Sequence, residues 1–167
     1  QVNNFVQNYC YFCTKLNYDY LDLYKDPYHN TTLAFVENDL NGERSFSFFR
    51  QNTADYHINY DRLSVIKDAN IIHVGSLMLR EEEGRRLATK IFETAKKENK
   101  LISFDVNFRD DIFPSFEVAK QIYTEYIKNA DILKFSIDEV KLFTGNDDCS
   151  SISSLVRDDQ LVFITLG

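Results

Sequence analysis

The sequence predicts an α/β protein, a parallel sheet flanked by helices, with a small β-hairpin ahead of it. Three observations carry this. Short apolar runs recur after residue 70, at IIHVGSL (71–77), LISFDV (101–106), DILKFS (131–136) and LVFITL (161–166). The longer segments between them repeat apolar residues at helical spacing, and such alternation calls for right-handed β-α-β crossovers between parallel strands. Upstream, TTLAFV and RSFSFF flank ENDLNGE, whose Asn41-Gly42 pair is a hairpin turn signal.

The elements follow in order. Residues 1–30 form a leading helix and connector, because Phe5, Tyr9, Phe12 and Leu16 fall at helical spacing. Residues 31–50 form the hairpin, with Phe46 and Phe48 on one face of its second arm and Ser45, Ser47 and Phe49 on the other. Residues 51–167 form the α/β core, expected to be partial. Its first helix spans 81–99, with Leu87, Ala88, Ile91, Phe92 and Ala95 as one stripe. Glu81, Glu82 and Glu83 at its start and Lys96 and Lys97 near its end suit the helix dipole. The second helix spans 116–129, burying Val118, Ala119, Ile122, Tyr123 and Tyr126, and a short third, 137–145, closes on Gly145. A further helix is expected near 150–157.

Composition bounds the function. Of 167 residues, 19 are Lys or Arg and 26 Asp or Glu, a net charge of −7 that disfavours nucleic acid and anionic membranes as partners. No run approaches the ~18 apolar residues of a membrane helix, and QVNNFVQN lacks the basic and apolar regions of a signal peptide. Cys10, Cys13 and Cys149 are an odd number, which points to free thiols in a reducing cytoplasm. The Cys10-x-x-Cys13 spacing also suits a redox pair or half a zinc site, but no second pair follows it.

The topology predicts where chemistry lies. Ligands of open parallel sheets bind beyond the carboxyl ends of the strands. There the sequence places Ser76, then Asp105 to Arg109, then Ser136 to Glu139, then Thr165 and Gly167. Asp105, Asn107 and Arg109 stand at alternating positions past a strand end. A carboxylate, an amide and a guanidinium can together hold a polyhydroxy compound, or they can make local loop contacts instead. Lys134 is a cation within an apolar strand and calls for an anionic partner, which could be Asp105, Glu139 or a bound phosphate. Glu139 also suits a helix first turn. His73 is expected to be a core histidine with one hydrogen bond. Arg50, at a hairpin end, would ordinarily be a solvated charge.

Four ordered motifs resemble the ribokinase-like (PfkB) carbohydrate kinases, fructokinase branch. TTLAFVENDLNGERSFSFFR resembles the lid hairpin and IIHVGSL the following strand. ISFDVNFRDDIF is similar to S-F-D-P-N-x-R-x-x-L-W, with Val106, Ile112 and Phe113 replacing Pro, Leu and Trp. ADILKFSIDEVKLFTG is similar to A-D-x-x-K-x-S-x-x-E-x-x-x-L-T-G, and LVFITLG to the strand opening the nucleotide site. The resemblance implies phosphoryl transfer from ATP, with Mg²⁺, to fructose or a related keto-sugar, 2-keto-3-deoxygluconate being the alternative. It further implies that Arg50, Phe48, Asp105, Asn107 and Arg109 face the sugar. Lys134, Ser136, Thr165 and Gly167 would face the nucleotide, and Glu139 the magnesium through water. A homodimer through the hairpin is a possible assembly. The family's Gly-Gly-Asn segment and its G-A-G-D motif, which supplies the catalytic base, are absent. The expectation is therefore the central part of a longer kinase, inactive alone and without a catalytic residue of its own; the rival reading is a non-catalytic sugar- or nucleotide-binding or assembly domain.

Overall fold

The structure, a computed structural model, describes residues 26–40, 42, 44–109 and 113–166. The leading helix with Cys10 and Cys13, and Gly167, lie outside the described residues. The chain divides into two compact units that meet between Ala54 and Asp55.

In the first unit, β1 (Leu33–Asn38) pairs antiparallel with β2 (Arg44–Phe49), from Leu33 opposite Phe49 to Asn38 opposite Arg44. The connection is longer than a two-residue turn, and Gly42 adopts φ +84°, the left-handed region glycine enters without steric cost. The strand faces divide as the alternation requires. Phe46 and Phe48 stack at 6.0 Å on one face, while Phe35 and Phe49 meet edge-on at 5.6 Å on the other. Below the hairpin, Asn30 bridges Thr53, and the Thr32 hydroxyl donates to Thr53 Oγ1 at 3.0 Å.

The second unit holds a four-stranded parallel sheet, order β3-β4-β5-β6: β3 (Ile71–Gly75), β4 (Leu101–Asp105), β5 (Ile132–Ser136) and β6 (Leu161–Thr165). Helices α1 (Glu82–Lys97), α2 (Phe116–Asn129) and α3 (Ile137–Thr144) connect them. Register places Val74, Phe104 and Leu133 side by side, and these join Ala88, Phe92, Tyr123, Tyr126, Ile127, Val140 and Phe143 of the helices in one core. All three helices therefore lie on the same sheet face, as consecutive strands joined by crossovers of one hand demand. On the opposite face Ile71, Leu101, Leu161 and Phe163 are about half exposed, at 51, 49, 54 and 53%.

Several sequence expectations are corrected here. His73 does make its one hydrogen bond, between Nδ1 and Ser103 Oγ at 3.1 Å, but it is exposed, because it belongs to the sheet face opposite the helices. The expected helix near 150–157 is a 3-10 turn, Cys149–Ser154. Its serine hydroxyls bond back to the chain, Ser153 to the Ser150 carbonyl and Ser154 to the Ser151 carbonyl, and such local bonds compete with regular helix. The runs read as 71–77 and 161–166 stop earlier as strands: Ser76 already opens a 3-10 turn (Ser76–Leu79), and β6 ends at Thr165. Among the described residues no helix is long and apolar enough to cross a membrane.

Candidate functional site

The carboxyl edge of the sheet is built by register. Gly75 lies opposite Asp105, Asp105 opposite Lys134, and Ser136 opposite Thr165. Three strand ends, those of β4, β5 and β6, thus present Asp105, Lys134, Ser136 and Thr165 along one edge. Lys134 is half-exposed, not buried, and its ammonium stands 3.3 Å from Asp105 Oδ1, which settles its choice of partner within the chain. Since both side chains keep about a third of their surface in water, the pair contributes no more than about 1 kcal/mol.

Beyond β4 the chain is tied down residue by residue. Val106 is fully buried, and its N–H donates to the Lys134 carbonyl at 3.1 Å. The proline of the family pattern has no such donor, so the replacement adds a bond between β4 and β5. The Asn107 carbonyl accepts from Ser76 Oγ at 3.2 Å, and Asn107 itself sits at φ +30°, a region asparagine enters more readily than most residues. Phe108 N–H donates to Glu139 Oε1 at 2.5 Å. The Phe108 ring packs against Phe116, Tyr123 and Phe143 at 5.7, 5.3 and 5.5 Å.

Glu139 belongs to a capping box. Ser136, the N-cap of α3, accepts from the Glu139 N–H at 3.2 Å, and Glu139 Oε2 accepts from the Ser136 N–H at 2.7 Å. The helix ends at Gly145 with φ +80°, as its sequence predicts. Thr165 Oγ1 donates to the Phe135 carbonyl at 3.4 Å.

Beneath this loop lies a residue the sequence placed only in the core. Tyr123 is fully buried, and its hydroxyl makes no well-aligned hydrogen bond. Burial is the main cause that pushes its pKa up to about 12, and the Glu139 charge adds to it; the nearby Ser76 hydroxyl, the Arg109 charge and the Arg109 backbone oppose it. Because the folded value lies above the ordinary ~10, this group's contribution to stability is intact below pH 10 and lost as pH rises toward 12, at up to ~1.4 kcal/mol per unit. Urea midpoints at pH 9, 10 and 11 should fall more steeply in the parent than in Tyr123→Phe; parallel declines would refute the assignment.

Phe48 and Arg50 belong to the first unit. Arg50 is buried, at 6% exposure, so it is not the solvated charge a hairpin end would ordinarily carry. Its carbonyl accepts from Thr53 Oγ1 at 3.2 Å.

Among the described residues no group of three or more His, Cys, Asp or Glu side chains is placed to hold a metal ion. A groove of about 480 Å³ does open between α1 and α2, lined by Glu82, Arg85, Arg86, Thr89, Glu125 and Tyr126 among others. It lies in the helix layer rather than at the strand ends. Arg86 pairs there with Glu82, and Arg85 donates to the Leu79 and Arg80 carbonyls.

The geometry agrees with what comparison to known proteins finds. A model described as pfkB family carbohydrate kinase matches residues 14–167. Probable fructokinase-2 of Arabidopsis thaliana is 37% identical over 142 residues, 82% of this chain and 43% of the relative. Fructokinase from Xylella fastidiosa with bound ATP superposes with a TM-score of 0.70 at 27% identity, over 84% of this chain and 46% of that one. Fructokinase from Vibrio cholerae O395 in its fructose, ADP and calcium ion bound form gives 0.73 at 26% identity, over 95% and 52%. The chain spans less than half the length of the curated relatives it matches. With its parallel sheet, its hairpin and a family match over most of its residues, this chain belongs to the pfkB family of carbohydrate kinases.

Proposed function

We propose that this chain is the sugar- and nucleotide-facing part of an ATP-dependent kinase acting on a hydroxyl of fructose or a related keto-sugar. The observation that carries this is the single edge where register gathers Asp105, Lys134, Ser136 and Thr165, with the Asn107–Arg109 loop tied to it. Phosphoryl transfer needs positioning and charge stabilisation more than covalent chemistry from the protein, and such an edge can supply both. Arg109, Asn107 and Asp105 are assigned to the sugar, with Phe48 and Arg50 from the hairpin unit. Lys134, Ser136, Thr165 and Gly167 are assigned to the nucleotide. The relative holding ATP and the one holding fructose and ADP support an ATP-dependent kinase acting on a sugar.

Mg²⁺ is proposed to arrive with the nucleotide phosphates, whose charge it neutralises. Each Glu139 oxygen keeps a lone pair beyond its amide bond, enough for a water of the ion's shell. The sequence contains no G-x-G-D, so the 167-residue chain is expected to bind without turning over. That absence also favours the second reading, a non-catalytic sugar- or nucleotide-binding domain. The hairpin face on which Leu33, Phe35 and Phe49 are exposed is a candidate contact for a second copy. A reducing, cytoplasmic setting is proposed from the cysteine pattern.

Calorimetry of this chain with fructose, 2-keto-3-deoxygluconate and ATP, beside a coupled ADP-release assay, tests the proposal. Binding of a sugar and ATP without ADP release is expected; no binding of either would overturn it. In a complete enzyme carrying this segment, Arg109→Ala should raise KM for the sugar by about 10- to 100-fold, the loss of a charged hydrogen bond, with little change in kcat. A fall in kcat at unchanged KM would remove Arg109 from sugar binding.

A further inference from the structure

We propose that Glu139 is the positioning residue of the loop that carries Arg109: its carboxylate bridges two backbone amides and so fixes where that guanidinium stands. The proposal rests on the reading of Arg109 as a sugar-contacting residue. Both Glu139 oxygens are engaged, Oε1 by the Phe108 amide at 2.5 Å and Oε2 by the Ser136 amide at 2.7 Å, and the side chain is almost wholly buried. Hydrogen bonds to a buried carboxylate are charge-assisted and stronger than neutral ones. One carboxylate thus joins the loop after β4 to the start of α3, two segments 31 residues apart in sequence.

The loop needs such a tie. Asn107, at φ +30°, occupies a sparsely populated conformation, which persists only where neighbouring contacts over-determine it. Three successive residues supply those contacts to three different elements: Val106 to β5, Asn107 to Ser76 after β3, and Phe108 to Glu139 on α3. The Glu139 bond is the last before Arg109, so it sets the direction in which the chain leaves. The packed Phe108 ring keeps the loop attached by another route. Loss of the carboxylate should therefore re-aim Arg109 without melting the sheet.

Glu139→Gln in the full 167-residue chain tests this. Glutamine offers one acceptor oxygen and turns an NH2 donor toward the other amide, so only one of the two bonds survives. Hydrogen exchange at Phe108 or Ser136 should quicken by about tenfold or more, as loss of a charge-assisted bond predicts, while Phe104 and Leu133 keep their protection. The Arg109 Nε–H signal in the ¹⁵N spectrum should shift with it. Unchanged exchange at both amides, loss of protection spread evenly over the sheet, or an unmoved Arg109 signal would each overturn the proposal. Should the variant not fold, a through-hydrogen-bond coupling between Phe108 ¹⁵N and the Glu139 carboxyl carbon in the unmutated chain decides: its presence supports the tie and its absence refutes it. A parallel fructose titration of the unmutated chain reads the kinase proposal separately, since none of these signals requires a ligand.

Discussion

Gly84→Ala is expected to cost about 3 kcal/mol of stability, the reverse of the gain of about 1 kcal/mol that alanine brings in an ordinary helix. Gly84 lies in the first turn of α1, buried against the 3-10 turn that follows β3. A Cβ built there would stand 1.8 Å from the Met78 carbonyl oxygen, 2.9 Å from its carbon and 2.7 Å from Tyr56 Cδ1. The tyrosine ring could swing aside. The Met78 carbonyl is backbone and cannot, so the start of the helix must lift away from the 3-10 turn that carries it. A urea midpoint that falls with an unchanged m-value would confirm a loss of native packing; a midpoint equal to the parent's would show that this close approach does not exist.

The second large effect is expected at the centre of the core. Phe104→Ala should destabilise the second unit by about 3–5 kcal/mol, the range for emptying a fully buried aromatic site. Phe104 has no exposed surface and sits between Val74 and Leu133 in the sheet register. Its ring meets Tyr123 at 6.2 Å and Tyr126 at 6.1 Å, so one side chain joins β4 to two turns of α2. Neither tyrosine can collapse into the gap easily, because Tyr126 is held by the Arg85 carbonyl at 3.1 Å and Tyr123 is wedged among Phe108, Phe113 and Phe143. A loss under 1 kcal/mol by denaturant titration would mean the cavity refills, contradicting the packing described.

The elements that were readable in the sequence are those whose signal is local. The α1 stripe, the Gly145 cap and the strand runs each follow from spacing within a dozen residues, and all are present. His73 was misjudged because a run buried on one face reads the same as a run buried on both. The candidate site was legible as a set of residue types and only partly as contacts. Asp105 and Lys134 are 29 positions apart, and their pairing depends on a strand register that no local pattern encodes. The same holds for Glu139: an acid in a helix first turn is ordinary, whereas its hold on the Phe108 amide comes from the tertiary fold. Tyr123 showed only its apolar side in the sequence, as one of several large residues in the α2 stripe.

The consecutive strand order bears on how such a chain acquires its shape. Each strand pairs with the one made just before it, and from one strand start to the next the chain advances only about thirty residues. Among these four strands, each added strand–helix pair thus closes a loop of similar, modest size onto a strand already made. A sheet of this order can be laid down stepwise as the polypeptide leaves the ribosome, β3 serving as the template on which β4, β5 and β6 settle in turn.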